Sequence, residues 1–117
     1  MPETGRVRAI PGRGARGPLR HDMPAVDEAG LAAARQVDRV IAAARTLGAD
    51  RWLAYFEPMV DRLRDDEPRG LRQVAMRARA AFGPKDSVRD VLPDDVTEPF
   101  LESIDRLLKQ LNRRDVA

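Results

Sequence analysis

Few side chains in this 117-residue chain could move a proton or form a covalent bond: there is one histidine, His21, and no cysteine. A nucleophile must sit within hydrogen-bond reach of an oriented base. His21 stands in a Gly- and Pro-rich stretch that offers no such support. A zinc site draws on several Cys and His ligands, which are equally missing. Asp65, Asp66 and Glu67 make a run of carboxylates, but a calcium loop alternates its oxygen ligands, turns on a glycine and closes on a distal Glu. Gly12, Gly14 and Gly17 have neither the preceding strand nor the lysine of a phosphate-binding loop. Acidic residues are spread along the chain, and no pair stands out as an acid–base couple. The expectation is a protein that is not an enzyme, with no catalytic residue, no cofactor and no metal.

Arginines and aromatics hold the remaining chemistry. Arg6, Arg8, Arg13, Arg16 and Arg20 face a single acid, Glu3, in residues 1–21, so the formal charge of +2 belongs to that end of the chain. Arginines along a flexible Gly/Pro chain can contact phosphates without reading sequence. The same composition suits a solvated tail. Met23-Pro24-Ala25-Val26-Asp27-Glu28 also reads as an ordinary protein start, which would leave the preceding residues untranslated. Trp52, Tyr55 and Phe56 could stack on a ligand or on bases. At helical spacing such a set more often packs into a core, with Tyr55 at the rim. Arg69, Arg72, Arg77 and Arg79 could meet an acidic partner, or form salt bridges with the acids of the preceding helix.

These residues need elements to position them, and the composition points to an all-α fold. Arg, Ala, Asp and Leu dominate, and apolar residues recur at spacings of 3 and 4. A first helix spans about Asp27 to Leu47 and is stopped by Gly48. A second starts at Asp50, with a kink or break expected at Pro58. A third covers about Pro68 to Phe82, with the acidic run before it expected to cap it. Ser87 with Asp90 makes a capping box for a short helical turn. A last helix begins within Asp94 to Thr97 and reaches about Asn112. Pro99 falls in its first turn, where a missing donor costs little, and Lys109 and Arg113 suit its C-terminal dipole. Residues 1–24 should be a disordered basic tail, because they cannot bury enough apolar surface to offset the entropy of ordering. Residues 25–114 should form a single small bundle of about four helices plus the short turn. No stretch approaches the roughly 20 apolar residues of a membrane span, and the absence of cysteine suits the cytoplasm.

The segment Phe82-Gly83-Pro84-Lys85-Asp86-Ser87-Val88-Arg89-Asp90-Val91 resembles a turn in a family of small bacterial helical proteins that carry a domain of unknown function. In that family a Trp-bearing helix and an acidic turn into Gly-Leu-Arg precede a Phe-Gly-Gly-Met-Gly-Ser-apolar-Asn-Asp turn. Trp52, the 65–67 acids, Gly70, Leu71, Arg72, Phe82, Gly83, Ser87, Val88 and Asp90 match; Pro84, Lys85, Asp86 and Arg89 depart. The resemblance implies a helical fold without an assigned activity, in the company of toxin-neutralising partner proteins.

A small domain without an active-site constellation usually acts through its surface. The expected function is a non-catalytic protein-binding domain, in the manner of an immunity or antitoxin-like factor. Its partner-binding residues would be Tyr55, Arg72, Arg79, Lys85 and Arg89. The alternative is a nucleic-acid-binding accessory protein that uses the N-terminal arginines and the arginine face of the third helix.

Overall fold

The computed structural model describes residues 19–115, with side chains through Arg113. Arg6, Arg8, Arg13 and Arg16, and with them the expected phosphate-contacting arm, lie outside the described residues. Every regular element in the described part is helical. A 3-10 turn, Arg20–Asp22, leads into α1 (Pro24–Leu47), α2 (Asp50–Phe56), α3 (Met59–Asp65) and α4 (Pro68–Ala80). A second 3-10 turn, Val88–Asp90, precedes α5 (Asp94–Asp115). The expected all-α bundle of four helical rods and a short turn is therefore what the chain forms, with α2 and α3 as two halves of one rod.

Local chemistry sets the boundaries. α1 starts on Pro24, which needs no hydrogen-bond partner at a first helical position. It ends where Gly48 takes a left-handed φ of 67° and the Ala49 amide donates back to the Ala44 carbonyl at 2.8 Å. Pro58 lacks the amide that would reach Ala54, so the second rod breaks there. Glu57 and Pro58 nonetheless stay in the right-handed helical region, so the chain bends without reversing. Pro99 lies inside α5. The carbonyl it leaves without a helical donor, that of Asp95, accepts from Arg39 Nη2 of α1 at 3.3 Å. That proline does cost a hydrogen bond, and a neighbouring helix supplies the replacement.

α1 packs along α5 and along α2–α3, and α4 closes the ring against α5 and α3. Phe56 and Phe100, both 0% exposed, meet edge to face at 5.5 Å near the middle of the bundle. Trp52 stacks on Phe56 at 5.9 Å, and Phe82 reaches Phe100 at 6.2 Å. Val37, Val40, Leu63, Leu71, Val74, Ile104 and Leu107 fill the rest of a continuous core. Trp52 and Phe56 are thus core residues, as their spacing predicts.

Candidate functional site

The residues expected to bind a partner are held by contacts within the fold. Tyr55 is half-buried at the rim, and its hydroxyl donates to the Arg77 carbonyl of α4 at 2.5 Å. The Arg77 guanidinium lies 4.7 Å from the centre of the same ring. Arg72 Nη1 donates to Asn112 Oδ1 at 2.6 Å, and Arg79 Nε lies 3.0 Å from Asp105 Oδ1. Arg72 and Arg79 therefore tie α4 to α5, while Arg77 packs over the Tyr55 ring of α2. Arg89 grips Glu98 with two hydrogen bonds of 2.8 Å, and its guanidinium lies 5.4 Å from the Phe82 ring centre. That hydrogen bond holds the Glu98 carboxyl below its usual range and raises Arg89 above its own. Lys85 is exposed in the 81–86 bend, where Asp86 adopts a left-handed φ of 53°. In the resembled turn this position is a glycine; aspartate is among the few other residues that tolerate the conformation. Ser87 caps the following turn by accepting from the Arg89 amide at 3.1 Å.

Arg20 is the clearest departure from expectation. Residues 19–24, the end of the expected 1–24 tail, have defined places, and Arg20 is 5% exposed. Its Nε donates to Asp27 Oδ1 at 2.6 Å, Nη1 to the Asp66 carbonyl at 3.1 Å and Nη2 to the Asp27 carbonyl at 3.4 Å. Its amide donates to Glu67 Oε1 at 2.7 Å. In this arrangement the guanidinium expected to meet phosphate is turned to protein oxygens instead. The acidic run is explained by the same cluster. Glu67 occupies the position before α4 but makes no side-chain capping bond, and Asp66 pairs with Arg62 at 2.8 Å. Asp66 and Glu67 thus hold Arg62 and the Arg20 strap, and Glu67 does not cap the helix through its side chain.

The concave surface lies elsewhere, over the seam between the first half of α1 and the second half of α5. It is an open groove of about 720 Å³. Ala25, Ala29 and Ala32 form its floor; Glu28 and Arg35 edge it on α1, and Glu102, Arg106, Lys109 and Arg113 edge it on α5. Small side chains at i, i+4 and i+7 leave room for another chain to come close to the α1 backbone. Among the described residues, Arg35, Arg106, Lys109 and Arg113 form no ion pair. None of these groove residues stood out in the sequence beyond the charged face and alanine content of ordinary amphipathic helices. Among the described residues no cluster of His, Cys, Asp or Glu could hold a metal, and no helix is long and apolar enough to cross a membrane.

Compared with known proteins, the chain matches no family model, no curated protein and no solved structure. The likeness of the 82–91 segment to the bacterial helical family therefore stays a likeness of motifs.

Proposed function

We propose that this protein is a non-catalytic binding module that receives another protein in the α1/α5 groove. One observation supports the reading: the groove brings four cations that have no ion-pair partner together around an alanine floor. A helix laid in a groove with close backbone approach and charged edges is a recurring mode of recognition. An immunity or antitoxin-like role is the form this reading takes if the partner is a toxic protein. Nucleic-acid binding has less to work with, because Arg72 and Arg79 on the proposed basic face are engaged with α5.

The test is quantitative affinity capture from the native host, with the full chain and its Ala32→Arg variant side by side. Ala32→Arg fills the groove floor and sits four residues after Glu28, a favourable helical pairing, so the fold should survive. A stoichiometric protein retained by the wild type and lost by the variant supports the proposal. Equal retention by both chains, or none by the wild type, contradicts it.

A further inference from the structure

Arg20 occupies a shaped receptacle, and its anchoring differs from that of its neighbours. Of residues 19–22 it alone is buried; His21 and Asp22 keep side-chain exposures of 76% and 60%. The short strap before α1 is thus fastened mainly by one side chain and by Met23, which is 4% exposed. The receptacle is built around a planar fork. The Asp27 carboxylate and the carbonyls of Asp27 and Asp66 take different N–H groups of the guanidinium. Gly30 opens the space: a Cβ there would lie 2.7 Å from Arg20 Nη2 and 3.0 Å from the Leu63 carbonyl. A glycine inside a helix is destabilising relative to alanine, and here the two close approaches explain its presence. Glu67 adds recognition of the backbone by accepting the Arg20 amide.

We infer that the notch between α1 and the α3–α4 turn is a guanidinium-binding site, filled in cis by Arg20, which an arginine side chain supplied by another protein chain can occupy in its place. The strap is then a latch that yields to an arginine-bearing segment. Selectivity follows from geometry. Lysine offers a compact ammonium in place of a fork, and it cannot meet the carboxylate and both carbonyls in the guanidinium's plane. The inference stands independently of the α1/α5 groove, which lies on a different side of α1.

Chemical rescue tests it on the full-length chain. Arg20→Ala should melt about 8 °C or more below the wild type, as expected for losing a multiply bonded buried group from a domain of this size. Millimolar methylguanidine should recover at least about half of that loss by binding only the folded state. Methylammonium at equal ionic strength should not. N-acetyl-arginine methylamide, an arginine blocked at both ends as it is within a protein chain, should act at least as well as free arginine. Should Arg20→Ala not fold, the wild type supplies the readout: methylguanidine, and not methylammonium, should speed hydrogen exchange at the Arg20 amide by displacing the latch. Equal effects of guanidinium and ammonium, or no effect of either, overturn the guanidinium site. Free arginine acting at least tenfold below the blocked form overturns the assignment of the ligand to a protein chain.

Discussion

The first half of α1 borders two charged regions that treat arginine in opposite ways. On one side, Arg20 is enclosed and bonded to Asp27 and Asp66. On the other, Arg35, Arg106, Lys109 and Arg113 rim an open groove without ion pairs. Enclosure makes a charge expensive to expose or to leave alone, so the notch residues are bound up with stability. Solvated charges on a groove rim add little to folding, and that leaves them available to set the rate and selectivity of association. Residue type does not separate the two regions; the backbone around them does.

Substitutions can break or sharpen the contrast. The largest effect on stability should come from the core both regions share: Phe100→Ala should lower unfolding free energy by about 3–5 kcal/mol in urea titrations. Next comes the notch. Breaking a fully buried pair costs about 3–5 kcal/mol; with the Asp27 side chain 43% exposed, Arg20→Ala should cost about 2–3 kcal/mol in the same titrations. Removing the Tyr55 hydroxyl, which ties α2 to α4, should cost about 1 kcal/mol in Tyr55→Phe. On the groove, Lys109→Glu should change unfolding free energy by less than about 0.5 kcal/mol while reducing partner capture. A Lys109→Glu chain as unstable as Arg20→Ala would erase the distinction between the regions.

The smallest effect is one of pH. Arg89 holds the Glu98 carboxyl below its usual range, so this pair's contribution is fully present above the ordinary glutamate pKa. It is lost as pH falls through the lowered folded value. The stability difference between wild type and Arg89→Gln, followed by thermal melts, should therefore shrink on acidification and stay flat through neutral pH.

Much of the fold was legible in the residues. Apolar spacing locates each rod, Gly48 and Pro58 mark a stop and a break, and the spacing of Trp52 and Phe56 marks the core. Arg20 was not legible, because nothing in Gly-Pro-Leu-Arg-His distinguishes a buried arginine from a solvated one. Its partners lie 7, 46 and 47 residues away, and Gly30, the one local hint, has meaning only once Arg20 and the Leu63 carbonyl are beside it. Asp66 and Glu67 illustrate the same limit: a carboxylate before a helix looks like a cap, and only the three-dimensional neighbourhood shows Asp66 on Arg62 and Glu67 on the Arg20 amide. Pro99 illustrates the point again, since the partner of the freed Asp95 carbonyl comes from Arg39 on another helix. The groove left almost no trace, because an exposed Ala-rich and charged helical face has the same pattern whether water or a partner covers it.

The most direct test of the division between fixed and available charge is hydrogen exchange on the full chain, alone and bound to the protein it retains from its host. Added protection across 25–35 in α1 and 102–113 in α5, with α4 unchanged, is the result the groove predicts. Protection centred on Arg72 and Arg79 of α4, with residues 25–35 and 102–113 exchanging as in the free chain, would contradict it.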